Sequence, residues 1–149
     1  MDLSAQEIET FDEPIQKIAA YTAGDIALKP SSLDLAGLCF MDAISCAMRA
    51  LDFKEALRSL GPYYEGDISI YGARIPGTKF QVSPLLAAFQ IGALIRWLDY
   101  NDTFLAKEWG HPSDNLGAII AITDHLSLLR SEKRQKPFLV IDILKALVK

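Results

Sequence analysis

The chain is poor in cysteine and histidine, on which most metal centres and many redox sites depend. It has 2 cysteines and 2 histidines among 149 residues, and the cysteines form no Cys-x-x-Cys pair. Cys39 and Cys46 are 7 residues apart, which on one helix separates them by about 10.5 Å along the axis. That distance is too long for a disulfide. We therefore expect two small buried hydrophobic side chains, and neither a zinc site nor an iron–sulfur cluster.

Basic clusters and long uncharged runs are also lacking. The 15 Lys and Arg residues against 19 Asp and Glu residues give a formal net charge of −4, with no basic face for nucleic acid. The longest uncharged stretch, from Phe80 to Ile95, is too short and too polar to span a bilayer. The acidic N-terminus, MDLSAQEIETFDEP, lacks the pattern of a secretory signal. We expect a cytoplasmic protein that binds neither nucleic acid nor a membrane.

A succession of helical patterns accounts for most of the chain. Apolar spacing, caps and breakers predict helices at Asp12 to about Ala27, Leu33 to Leu51, Phe53 to Leu60, Pro84 to Tyr100, Asp114 to Arg130 and roughly Pro137 to Val148. The second is apolar nearly all round, which is typical of a helix at the centre of a bundle. Its candidates for burial include Leu35, Leu38, Ala43 and Ala47. The fold class is predicted to be all-α, a helical bundle.

One segment departs from this helical pattern. Between Pro62 and Val82, glycines and prolines separate short β-branched or aromatic pieces. We expect an irregular excursion with one small hairpin. The segment contains no GxxxxGK[ST] pattern, so a phosphate-binding loop is not expected.

The stretch RWLDYNDTFLAKEWGHPSDN, from Arg96 to Asn115, concentrates the groups that catalyse reactions. Asp99 and Thr103 are 4 residues apart and would share a face if the preceding helix, capped by Ser83 and begun by Pro84, extended that far. His111 precedes a proline and lies just before the next helix, for which Ser113 is a candidate cap. A helix N-terminus there would favour an anionic substrate, with proton-transfer groups within reach.

A purely structural interpretation of the same residues stays open. Asp99 and Thr103 could cap or solvate a helix end, while His111 satisfies a turn. Arg96, one turn before Asp99, is expected to form an internal ion pair. Lys107 could reach a substrate carboxylate, although most surface lysines have no special role. The other histidine, His125, is expected to lie on a helix surface or in the core and not to act as a ligand.

The segments LDYNDTFLAKEWGHPSDN and GARIPGTKFQVSPLLAAFQIGALIRWLDYND resemble the MmgE/PrpD family, in particular the branch that dehydrates 2-methylcitrate. LDLAGLCFMDAISCAMRALDF is similar to an early helix of the same family. The resemblance covers most of the chain from about Phe11. It implies that the chain corresponds to the N-terminal part of a longer enzyme, in which a helical domain packs against an α/β lid domain that lies outside these 149 residues.

The resemblance also implies the chemistry. Its functional aspartate, threonine and histidine fall on Asp99, Thr103 and His111, and we assign Lys107 and Ser113 to substrate binding. The substrate would be a small tricarboxylate, the working form a homodimer, and no metal or other cofactor would take part. Two alternatives remain: cis-aconitate decarboxylase or another tricarboxylate lyase or isomerase of the family, and a noncatalytic helical remnant that only self-associates.

Overall fold

A computed structural model of the chain describes residues 12–64 and 69–149. In that part the protein is mostly helical, with two short antiparallel hairpins. The helices are α1 (Glu13–Ala23), α2 (Pro30–Ala50), α3 (Lys54–Leu57), α4 (Pro84–Arg96), α5 (Leu116–Glu132) and α6 (Val140–Val148). The strands are β1 (Ala73–Arg74), β2 (Gln81–Val82), β3 (Phe104–Leu105) and β4 (Trp109–Gly110), and a 3-10 turn spans Pro112–Asn115. The all-α prediction is therefore correct only in its coarser form, a predominantly helical fold.

The helix starts follow the local chemistry that the sequence indicated. The Asp12 side chain accepts a hydrogen bond from Ile15 N at 3.0 Å and caps α1. Ser83 caps α4 in the same way through Leu86 N, and Pro84 stands at its first position. The other ends were predicted less well. α1 stops at Ala23 and not near Ala27, α3 is a single turn, and α6 begins at Val140 and not at Pro137.

The core lies where α4 packs against α5 on one side and α2 on the other. Ile91, Leu94 and Ile95 of α4 and Leu116 of α5 are fully or almost fully buried there. The two helices approach closely at Gly117, where an added Cβ would lie 2.6 Å from Ala88 O and 2.7 Å from Gly92 N. Glycine at this position therefore sets the distance between α4 and α5.

The burial of α2 differs from the expectation at its larger side chains. Ala43 and Ala47 are buried as predicted, but Leu35 and Leu38 are 61% and 59% exposed. The face that α2 presents to the core is made of small residues, which lets α4 come near, and the leucines point away from it. By length and composition alone α2 is apolar enough to cross a membrane, a property that it shares with core helices of soluble proteins. Its packing against α4 and α6 makes it part of the helical bundle.

The hairpin expected between Pro62 and Val82 is present. β1 and β2 pair antiparallel, with Ala73 opposite Val82 and Arg74 opposite Gln81. Asp124 of α5 holds this hairpin by accepting hydrogen bonds from the backbone N–H of Arg74 at 2.8 Å and from its guanidinium. Burial alone would raise the pKa of Asp124, but the hydrogen bonds and the charge of Arg74 outweigh it, so the pKa lies below its ordinary value.

Candidate active site

The predicted helix geometry around Asp99 is wrong. α4 ends at Arg96, and Asp99 adopts a left-handed backbone conformation with φ of 56°. A helix therefore does not carry Asp99 and Thr103 on one face. Asp99 instead closes a turn, its N–H donating to Arg96 O at 3.0 Å, and its carboxylate pairs with the Arg96 guanidinium at 2.7 Å. The expectation of an ion pair at Arg96 is confirmed.

A hairpin that the sequence analysis did not anticipate brings Thr103 to His111. Phe104 pairs with Gly110, and Leu105 with Trp109, so the chain reverses between the two polar residues. The Thr103 hydroxyl oxygen and the His111 Nδ1 are 3.5 Å apart as a result. The ring of Trp109 meets the imidazole edge-on, with centroids 5.4 Å apart. His111 has the extended backbone conformation expected before a proline.

Asp102 forms hydrogen bonds with three residues from different parts of the chain. Its backbone carbonyl lies 2.7 Å from His111 Nδ1, and its carboxylate accepts from Ser113 N at 3.2 Å. Its own N–H donates to the Asp42 carboxylate at 2.9 Å, across 60 residues of sequence. Asp102 therefore connects the loop after α4, the 3-10 turn and helix α2.

A polar network on the buried side of the loop after α4 holds that loop in place. Asn101 is 3% exposed and donates from its side-chain amide to the Ser113 hydroxyl at 2.6 Å. Its amide oxygen accepts from Arg96 at 3.1 Å. Through Arg96 and Asn101 the carboxylate of Asp99 is connected to Ser113, and so to the turn that follows His111. A direct contact between Asp99 and His111 is not among the bonds of the described residues.

Ser113 and Lys107 occupy very different surroundings. Ser113 is fully buried and does not cap α5, whose N-cap is Asn115, so the capping prediction is wrong. The cause is the 3-10 turn, which delays the start of the helix and leaves the serine hydroxyl to Asn101. Lys107 is exposed at the tip of the hairpin between β3 and β4. Their assignment to substrate binding stays a prediction.

An open cavity of about 480 Å³ lies between α2 and the loop after α4. Its lining residues are Leu38, Cys39, Asp42, Tyr100, Asn101, Asp102 and Thr103. Burial raises the pKa of the Cys39 thiol, and the charge of Asp102 and a hydrogen bond to its carboxylate raise it further. Both effects favour the neutral thiol, which is the less nucleophilic form of the side chain. Cys39 and Cys46 are both free, as predicted, but only Cys46 is buried; Cys39 is half-buried, so the expectation of two buried side chains is wrong for Cys39.

Sequence reasoning missed the residue that α2 contributes. Asp42 lies in a helix that reads as core, and no local pattern connects it to Asp102, 60 residues away. Asn101 was not predicted, because the sequence gives no sign that this loop asparagine is buried. His125 lies outside the site, its Nδ1 bonded to the backbone carbonyl of Tyr71, in agreement with the structural interpretation given to it.

The sequence-family model for the MmgE/PrpD N-terminal domain matches residues 16–149 of the chain. The chain belongs to the MmgE/PrpD family. It is 47% identical to a probable 2-methylcitrate dehydratase of Saccharomyces cerevisiae and 41% identical to the 2-methylcitrate dehydratase of Salmonella typhimurium, each over 99% of the chain. It is also 39% identical, over 93% of the chain, to an alkylcitrate dehydratase of Talaromyces stipitatus. The chain spans 30% to 31% of the length of these three relatives.

Proposed function

We propose that this chain forms the N-terminal part of a 2-methylcitrate dehydratase, a hydro-lyase that converts 2-methylcitrate to 2-methyl-cis-aconitate. Membership of the MmgE/PrpD family supports the proposal, as do relatives of 41% and 47% identity that carry this activity in their names. The structural observation that carries it is the contact between Thr103 and His111 at 3.5 Å, beside the cavity between α2 and the loop.

The chemistry needs groups of these kinds. Dehydration of a β-hydroxy tricarboxylate removes a weakly acidic proton next to a carboxylate and expels a tertiary hydroxyl. One group must act as base, another must protonate the leaving hydroxyl, and hydrogen-bond donors must neutralise the substrate carboxylates. In our proposal Asp99 and His111 handle protons, and Thr103 donates a hydrogen bond to the substrate. No cofactor is assigned a role.

Lys107 and Ser113 are assigned different kinds of contribution to binding. Lys107 is an exposed cation on the hairpin between the two site residues, where its long side chain can meet a carboxylate. Ser113 is buried, and its N–H holds the Asp102 carboxylate. It would therefore act on the substrate through Asp102 and not by direct contact.

A chimeric enzyme tests the proposal. The corresponding N-terminal segment of the Salmonella typhimurium enzyme is replaced by this chain, and formation of the unsaturated product is followed by its ultraviolet absorbance. We expect the chimera to dehydrate 2-methylcitrate. A chimera that folds but dehydrates neither this substrate nor other alkylcitrates would contradict the proposal. Decarboxylation of cis-aconitate by the chimera would favour the alternative activity in the family.

The 149-residue chain assayed alone separates catalysis from association. We expect little or no turnover, because proton-transfer partners and water exclusion would be incomplete. Large apolar side chains on the outer face of α4, Leu85 at 84% and Phe89 at 62% exposure, support association as the second candidate role. Sedimentation at several concentrations would measure it. Normal turnover by the chain alone would exclude the noncatalytic interpretation.

A further inference from the structure

The hydrogen bond of His111 determines which of its ring nitrogens carries the proton. Nδ1 lies 2.7 Å from the backbone carbonyl of Asp102, and a carbonyl oxygen can only accept. Nδ1 must therefore be the donor, so that in the neutral imidazole Nε2 holds the lone pair. The Thr103 hydroxyl, 3.5 Å from the same nitrogen, is compatible with this assignment because its oxygen can also accept.

The acceptor of this bond is itself held in place. The N–H of Asp102 donates to the Asp42 carboxylate at 2.9 Å, and the Asp102 carboxylate accepts from Ser113 N. Ser113 belongs to the turn that follows His111, so this bond connects Asp102 to the segment that carries the histidine. Asp42 belongs to α2, whose neighbouring Ala43 is fully buried in the core. The hydrogen bond to Asp42 therefore anchors Asp102 to the helical bundle.

Two neighbours of Asp102 in this loop are exposed to solvent. Tyr100 is 60% exposed, and Thr103 is exposed as well. Asn101, by contrast, is held by the hydrogen bond from its buried side chain to the Ser113 hydroxyl. The Asp102 carbonyl belongs to the next peptide group, so its direction depends on φ and ψ of Asp102 and on the preceding peptide group, whose N–H Asp42 holds.

We propose that Asp42 is a positioning residue: through the main chain of Asp102 it fixes His111 with Nδ1 protonated and Nε2 as the nitrogen that exchanges protons with substrate. Asp42 does not touch the imidazole itself. The use made of Nε2 rests on the proposed dehydratase function, but the ring geometry and the part that Asp42 plays in it do not. In catalysis, the proton removed from or given to the substrate would bind at or leave Nε2, while Nδ1–H stays on the Asp102 carbonyl.

The tautomer can be measured directly in the 149-residue chain. The chain has only 2 histidines, so ¹⁵N labelling of the imidazoles and two-bond ¹H–¹⁵N correlation spectra resolve each ring. A His125→Gln variant assigns the signals. His125 is an internal control, since its Nδ1 is also bonded to a carbonyl, that of Tyr71, remote from Asp42 in sequence. At a pH where both rings are neutral, we expect both to show protonated Nδ1 and bare Nε2.

Substitutions then test Asp42. In Asp42→Ala we expect the His111 signals to move to the averaged positions of a ring that exchanges between tautomers, while those of His125 stay unchanged. Asp42→Asn keeps an oxygen acceptor and should retain the wild-type pattern. Asp34→Ala, which removes an exposed aspartate of the same helix, is the matched control and should also retain it. If Asp42→Ala unfolds the chain, seen as collapse of the His125 signals, Asp42→Leu, which also lacks an acceptor, takes its place.

Two results would overturn the proposal. One is a wild-type His111 with its proton on Nε2, and the other is a His111 spectrum that stays unchanged when Asp42→Ala removes the acceptor. In an active chimera, Asp42→Ala should lower kcat about tenfold or more with little change in KM, and Asp42→Asn should restore it. An inactive wild-type chimera with the predicted tautomer would count against the dehydratase function alone.

Discussion

Gln90 and Gly61 form a closed pair of hydrogen bonds in the core. The side-chain oxygen of Gln90 accepts from the Gly61 N–H at 2.9 Å, and its side-chain nitrogen donates to the Gly61 carbonyl at 2.8 Å. Gln90 is fully buried, so both backbone groups would otherwise be hidden from water without a partner. The bonds hold the segment after α3 on helix α4.

Gln90→Leu keeps the size of the side chain and removes both hydrogen bonds. Because it leaves a buried N–H and a buried C=O unsatisfied, we expect the free energy of unfolding to fall by about 2 kcal/mol or more. Urea denaturation followed by circular dichroism measures the change. Gln135→Ala, at an exposed position, is the control and should stay within about 0.5 kcal/mol of wild type. Equal stabilities of the two variants would contradict the role given to this pair.

Two glycines on facing helices should respond oppositely to alanine. At Gly117 an added Cβ would lie 2.6 Å from Ala88 O, so Gly117→Ala must push α5 away from α4 and should destabilise the protein by about 1 to 3 kcal/mol. At Gly92 no atom of the described residues, apart from its chain neighbours and the adjacent backbone of α4, lies within 4 Å of the added atom. Gly92→Ala should therefore be neutral or stabilise the chain by up to about 1 kcal/mol, through helix propensity. Thermal unfolding of the two variants gives the comparison, and a stable Gly117→Ala would show that the helices can adjust.

The Arg74–Asp124 pair predicts a stability difference that depends on pH. The pKa of Asp124 is lower in the folded chain than its ordinary value, so its carboxylate stabilises the fold above the unfolded-state pKa of about 3.9. This contribution is lost as the pH falls through the folded-state pKa. Asp124→Asn should cost about 1 to 2 kcal/mol at about pH 7, a value that allows for the exposure of Arg74.

Urea denaturation of both proteins between about pH 7 and pH 2.5 tests this expectation. The difference between wild type and Asp124→Asn should be constant above about pH 5 and shrink below about pH 4. Asp34→Asn, at an exposed position of α2, should follow the wild-type curve throughout. A difference that stays constant to the lowest pH would contradict the assignment.

Asp99→Asn and His111→Ala in the active chimera should each lower turnover at least about a hundredfold, the lower end for general acid–base groups. Asparagine is the right replacement for Asp99 because it also tolerates the left-handed backbone found there. Asp114→Asn is the matched control, since Asp114 also contacts Arg96, at 3.5 Å, but has no proposed role in proton transfer. Similar losses in Asp99→Asn and Asp114→Asn would indicate that Arg96 pairing, and not chemistry at Asp99, explains the effect.

The sequence predicted the parts of this fold that local chemistry determines. Caps at Asp12 and Ser83 and the hairpin within the glycine-rich segment depend on neighbouring residues, and all three are present. The predicted end of α4 was wrong because Trp97 and Leu98 continue the apolar pattern, although the helix has ended at Arg96 and the chain turns there. The Arg96–Asp99 ion pair closes that turn, and the spacing of apolar residues gives no information about such a pair.

The site could be predicted only as a list of residues and not as an arrangement. Thr103 and His111 were both proposed as site residues, but their contact depends on a hairpin. Its strands are 2 residues long and show no alternation of apolar and polar residues. Asp42 could not be found, because the bond between Asp42 and Asp102 joins residues 60 positions apart. Leu35 and Leu38 were expected in the core because a helix that is apolar all round does not reveal which of its faces meets α4.

Thr103 and His111 lie at the base of a hairpin. The distance between their side chains therefore does not depend on the number of residues between them. Because paired strands leave and return at the same place, extending both by equal numbers of residues would move Lys107 outward without separating the threonine from the histidine. Insertions and deletions in related sequences can therefore vary the reach of the tip while the two groups at its base stay together. Alignment gaps in this segment report on what the tip can touch and not on whether the proton-transfer groups meet.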